Sequence, residues 1–100
     1  MMMEIFLNEE KAKTNGIDIN KCYEIIDNFF ADRGIVKMEQ GVYWGEKNQN
    51  SFIAFGMMVA KLPKTDWFLK IVDNFFWRSD SDNIEDREDC IAAYNKYKNL

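Results

Sequence analysis

One phrase occurs twice in this chain. Ile25-Ile26-Asp27-Asn28-Phe29-Phe30 returns 46 residues later as Ile71-Val72-Asp73-Asn74-Phe75-Phe76, with five of six positions identical and Ile exchanged for Val at the sixth. In both copies the apolar residues recur at i and i+4, which predicts the inner face of an amphipathic helix. Two such helices sharing one interior constrain the architecture strongly, and they say nothing of an activity. An old βα duplication would explain the echo. So would convergence, since Asp-Asn outside and Ile/Phe inside is a common helix solution.

The flanking residues support the first copy as a helix. Asp18 or Asn20 can accept a hydrogen bond from a free backbone N–H and cap a helix running from about residue 18 to 33. Gly34 can end it in the left-handed conformation. Ile19, Cys22, Tyr23, Ile25, Ile26, Phe29 and Phe30 then fall in one arc of about 160°. For the second copy, Pro63 closes the preceding segment and Thr65 caps a helix carrying Trp67, Phe68, Leu69, Ile71, Val72, Phe75 and Phe76 over about 200°. Each buried Phe contributes about 1.5–3 kcal/mol, so the two doublets are expected to dominate stability.

Elsewhere the pattern has period two. Residues 3–7 predict a short strand. Residues 8–17 are polar and hold the turn signal Asn15-Gly16. Residues 35–38 and 41–44 predict a strand pair with Gly41 at a bulge. Residues 52–59 read as a strand apolar on both faces, with Gly56 marking a bulge or close packing by a neighbour. Asp82-x-x-Glu85 resembles a capping box opening a third helix. The expected fold is α+β in the order β-α-β-β-α-α, a small antiparallel three-stranded sheet packed with three helices in one domain.

Composition limits the chemistry. There is no histidine among the 100 residues. That removes the usual general base near neutral pH and the Ser-His and Cys-His nucleophile pairs. Cys22 and Cys90 are expected as buried thiols filling core volume, and two cysteines without histidine cannot close a four-ligand zinc site. The five glycines are scattered and form no phosphate loop. No cofactor is expected. Asp80-x-Asp82 followed by Glu85 resembles a calcium loop but lacks its central glycine, and helix capping already explains Glu85. No apolar run is long enough to span a bilayer. The first residues lack the basic flank of a secretory signal, so the expected compartment is the cytoplasm.

Charge is unevenly spread. Residues 79–90 hold six acids and one base, more negative charge than the whole chain's net −4. A chain of this sign without a basic stripe is a poor binder of phosphate backbones. The acidic run is either a solvated helix face or a docking surface for a basic partner, since charge complementarity raises association rate and specificity. Trp77 lies outside the apolar arc of its expected helix, and Trp is enriched at interface hot spots. Trp77, Asp80, Asp82, Glu85, Asp86 and Asp89 are therefore the candidate partner-binding residues.

The leading expectation is a small cytoplasmic accessory or regulatory domain, not an enzyme, that binds another protein. Phage and mobile elements encode accessory proteins of this size and charge. The wide apolar arc and the two-faced strand predict self-association, giving a homodimer. Two alternatives stand beside it. One is an acidic inhibitor that mimics nucleic acid through residues 80–89. The other is a carboxylate- or metal-dependent enzyme, which requires at least two acids in a pocket.

Overall fold

A computed structural model describes residues 1–79 and 83–98 of the chain. The described residues form five strands and five α-helices. The strands are β1 (Met2–Leu7), β2 (Val36–Glu39), β3 (Val42–Trp44), β4 (Val72–Arg78) and β5 (Glu88–Asp89). The helices are α1 (Glu9–Thr14), α2 (Ile19–Ala31), α3 (Gln49–Lys61), α4 (Phe68–Ile71) and α5 (Cys90–Lys98). The strands make one sheet in the order β2-β3-β1-β4-β5, antiparallel throughout. α2 crosses from β1 to β2, and α3 with α4 crosses from β3 to β4. That connectivity is the split β-α-β arrangement, extended at one edge by β5.

The α+β class is as expected; three strands with three helices is not. Two segments account for the difference. Residues 52–59, expected as a strand, belong to α3. Asn48 caps it by accepting a hydrogen bond from the Ser51 amide at 2.9 Å. Ser51, Ala54, Phe55 and Met58 are buried while Phe52 and Ile53 face solvent, which is a period near 3.6. A continuous apolar run fits a buried strand or a buried helix equally well until a partner surface selects one. Gly56 makes no close packing contact: a Cβ there would meet nothing within 4 Å.

The second copy of the repeated phrase is the other segment. Thr65 does accept a hydrogen bond from the Phe68 amide at 3.3 Å, but the helix it starts ends at Ile71. Val72 to Arg78 then pairs along β1, with Ile5 opposite Phe75 and Glu4 opposite Phe76. The phrase is thus helical in α2 and mostly strand in its echo, so two equivalent helices do not exist. Tertiary pairing overrides local preference here, because β4 supplies one whole side of the central strand.

The third helix also starts later than expected. Residues 84–86 form a 3-10 turn, and Asp89 caps α5 by accepting from the Ile91 and Ala92 amides at 3.0 and 3.1 Å. Asp82, the expected cap, lies outside the described residues. The polar stretch after β1 contains the short helix α1, capped by Asn8.

Other expectations hold. β1, the β2–β3 pair and α2 lie where the sequence places them. Asp18 caps α2 by accepting from the Asn20 amide at 3.0 Å, and Gly34 ends it at φ +73°. Ile25 is the exception within α2, with 55% of its surface exposed.

All five helices bury side chains in one cluster with one face of the sheet. Ala12, Ile26, Phe30, Phe55, Phe68 and Cys90 meet Met3, Ile5, Leu7, Tyr43, Phe75 and Trp77 there. Phe30 is its centre, with ring centroids 4.6 Å from Tyr43 and 5.3 Å from Phe55. The Tyr23 hydroxyl accepts a hydrogen bond from the Leu7 amide at 2.9 Å, so the end of β1 is tied to α2 by a buried polar contact.

Candidate docking face of the sheet

Residues directly opposite in an antiparallel pair share a face, and successive residues alternate. In β1, Met3, Ile5 and Leu7 are buried under the helices, so Met2, Glu4 and Phe6 point the other way. The registers extend this to the neighbouring strands. Val36, Trp44, Met2 and Arg78 form one row across the sheet; Glu39, Val42, Glu4, Phe76 and Asp89 form the next. Phe6 and Asn74 begin a third. None of these residues belongs to the core cluster. Among the described residues, this face carries no helix.

It is nevertheless apolar and aromatic. Val42 is buried, and Met2, Phe6, Trp44 and Phe76 are half-buried. Glu4 and Arg78 make an ion pair in their midst, with only 16% and 12% of their side chains exposed. Arg78 Nη2 also lies 2.9 Å from Met2 Sδ. The Arg87 guanidinium stacks over the Phe76 ring, 4.2 Å from its centroid, a favourable cation–π placement. Gly41, in the turn between β2 and β3 at φ +84°, lets these strands close. A Cβ there would stand 2.5 Å from the Ile5 carbonyl oxygen and 2.9 Å from the Phe6 ring.

The residues singled out from sequence do not converge on this face. Trp77 points the opposite way, buried beneath α3 with its ring centroid 5.5 Å from that of Phe52. Its Nε1 has no acceptor among the described residues. Glu85 and Asp86 are exposed on the 3-10 turn, and Asp89 spends its carboxylate on the α5 cap. Asp80 and Asp82 lie outside the described residues. The residues that build the face were detectable in one respect: Met2-Met3-Glu4-Ile5-Phe6-Leu7 has large apolar residues on both sides of a period-two pattern, the signature of a strand with two apolar faces.

Other polar clusters are small. Asp27 accepts from the Tyr43 hydroxyl at 2.6 Å and from Lys37 Nζ at 2.8 Å. Burial, and then that bond to Asp27, push the Tyr43 phenol well above its usual value. Lys11, with Asn8, holds the Asp73 carboxyl below the usual range. Among the described residues no three Cys, Asp or Glu side chains gather to hold a metal ion. An apolar cleft of about 140 Å³ lies between α2 and α3, lined by Ile25, Phe29, Met57 and Met58. It falls short of the roughly 300 Å³ at which small-molecule clefts begin. A wider, more open cleft of about 420 Å³ lies between α3 and α5, lined by Val59, Lys64, Tyr94 and Tyr97.

Both thiols are buried and free. Burial, and then the nearby carboxylates of Glu88 and Asp89, push the Cys90 thiol up to about 12. The folded protein therefore keeps this proton after the unfolded chain releases it near the ordinary value of 9.0. Stability is full below that value and falls above it by about 1.4 kcal/mol per pH unit until the folded thiol titrates. Tyr43 acts in the same direction from pH 10 upward. Urea unfolding at pH 7, 9 and 10 is expected to show the decline. Cys90→Ala is expected to reduce it, leaving the part that comes from Cys22, whose thiol is also pushed up by burial and then by Asp18.

No helix among the described residues is long and apolar enough to cross a membrane. Compared with known proteins, the chain matches no family model, no curated protein and no solved structure.

Proposed function

We propose that this chain is a small non-catalytic protein-binding domain that receives its partner on the open face of the sheet. One observation carries the proposal: Met2, Phe6, Trp44 and Phe76 are large, partly exposed apolar side chains on three neighbouring strands, with Val42 buried among them, and the helices among the described residues bury their side chains on the opposite face. An apolar sheet face that no helix of the described residues covers is a candidate interaction surface, here with the Glu4–Arg78 pair at its middle. Its composition is also that of an interface centre, with Trp, Phe, Met and Arg together.

The test compares three baits in their native cells: the unaltered chain, Trp44→Ser/Phe76→Ser, and Ile25→Ser/Ile53→Ser on the helical layer. A partner held by the first and third baits and lost from the second supports the proposal. A partner lost only from the third would move the interface to the helices.

A further inference from the structure

We infer that the open face docks on the same face of a second copy of this chain, about a two-fold axis running along β1. The inference rests on the docking proposal above and names its occupant. The division of charge across the face supports it.

The β4–β5 flank carries two cations, Arg87 beside Phe76 and Arg78 paired with Glu4, and one outward carboxylate, Asp89, held at the α5 cap. The β2–β3 flank carries no outward cation among the described residues. It offers Trp44, Val42 and the exposed carboxylate of Glu39. The two flanks are equidistant from β1, because β3 and β4 are its two neighbours. When two copies meet face to face, a two-fold along β1 exchanges the flanks, as an isologous contact requires. Trp44 then meets Arg78 of the second copy, since both lie in the row of Met2. Val42 meets Phe76, since both lie in the row of Glu4. Glu39 meets the Arg87 guanidinium, which sits over that same Phe76 ring. Each of these contacts forms twice.

The same operator places like charges together at two points, Glu4 on Glu4 and Glu39 on Asp89, and the first is already neutralised within each chain. Glu4 lies on the axis, but its carboxylate is paired with Arg78. Asp89 faces Glu39, but its carboxylate accepts from the Ile91 and Ala92 amides. The apolar middle, Met2 and Phe6, packs on its own counterparts as in two sheets stacked about 10 Å apart.

Charge reversal tests the operator directly. Arg87→Glu alone sets a carboxylate against Glu39 at both ends of the interface and is expected to weaken association at least about tenfold; Glu39→Arg alone opposes Arg87 but also faces Asp89, and is expected to weaken it less. Mixing the two variants sets the new cation at position 39 of one chain against the new carboxylate at position 87 of the other. The second contact keeps its original Glu39 and Arg87, so a mixed dimer is expected to re-form. The doubly reversed chain is expected to pair with itself. Sedimentation equilibrium reads every sample, and circular dichroism confirms that each is folded; both positions are on the surface. Twice the chain mass of 11.9 kDa for the unaltered, mixed and doubly reversed samples, and the chain mass alone for Arg87→Glu, supports the inference. An unaltered chain that stays monomeric at about 100 µM, or single variants that fail to rescue each other, overturns it. If the chain is monomeric while the Trp44→Ser/Phe76→Ser bait still loses its partner, the docking face stands and its occupant is a different protein.

Discussion

Phe75→Ala is expected to lower stability by about 3–5 kcal/mol, while Phe76→Ala, one residue away, is expected to lower it by less than about half as much. Phe75 is fully buried, edge-on to Phe68 with ring centroids 5.2 Å apart, and truncation there opens a cavity under the helices. Phe76 lies across the sheet on the open face, where water fills the space it leaves and the main loss is its contact with Arg87. Urea unfolding of the two variants reads the difference. Similar large losses for both would mean that residues 72–78 are a helix sunk in the core on two sides, with no open face.

The second large effect lies at the Glu4–Arg78 pair. Arg78→Met leaves the Glu4 carboxylate half-enclosed among Met2, Val42 and Phe76 with its cation gone, and is expected to cost about 2–4 kcal/mol. Adding Glu4→Gln removes the stranded charge and is expected to return most of that loss, because a neutral amide in the same place needs no counter-ion. A double variant as unstable as the single one would show that Arg78 acts through its other contacts and not through Glu4. The same double variant keeps the fold but alters the centre of the docking face, so it separates stability from association.

Much of the fold is legible in local residue chemistry. Asp18 and Gly34 bracket α2 because an Asp side chain can satisfy free amides and a glycine can take positive φ; both signals are complete within a few residues. β1 and the β2–β3 pair follow from short β-prone runs beside turn-forming residues. The failures share a physical cause. Ile71-Val72-Asp73-Asn74-Phe75-Phe76 presents apolar residues at i and i+4, but also at i+1 and i+5, so the phrase supports a helix and a two-faced strand at once. What decides is the vacant side of β1, far away in the chain, and nothing in the phrase itself reports it. The run 52–59 errs in the other direction for the same reason: Asn48 and Ser51 announce a helix start, yet the continuous apolar stretch after them masks its period.

The docking face was obscured by that single error. With residues 72–78 taken as helical, Phe76 and Arg78 cannot share a surface with Met2 and Trp44, and attention passes to the acidic run instead. Placed in a strand, they complete two rows that cross the sheet, and Arg87 is carried onto the same surface by β5. Trp77, chosen for lying outside a helical arc, is in fact the strand neighbour that faces inward. Composition and charge do not say which residues would share the proposed surface; only strand register does.

Hydroxyl-radical footprinting of the dilute protein tests the two-faced sheet most directly. Met2, Trp44 and Phe76 are expected to be labelled well above Met3, Trp77 and Phe75, their neighbours in sequence or across the row, and to become protected as the protein is concentrated. Equal labelling of Phe75 and Phe76, or stronger labelling of Met3 and Trp77 than of Met2 and Trp44, would contradict an open apolar face on this sheet.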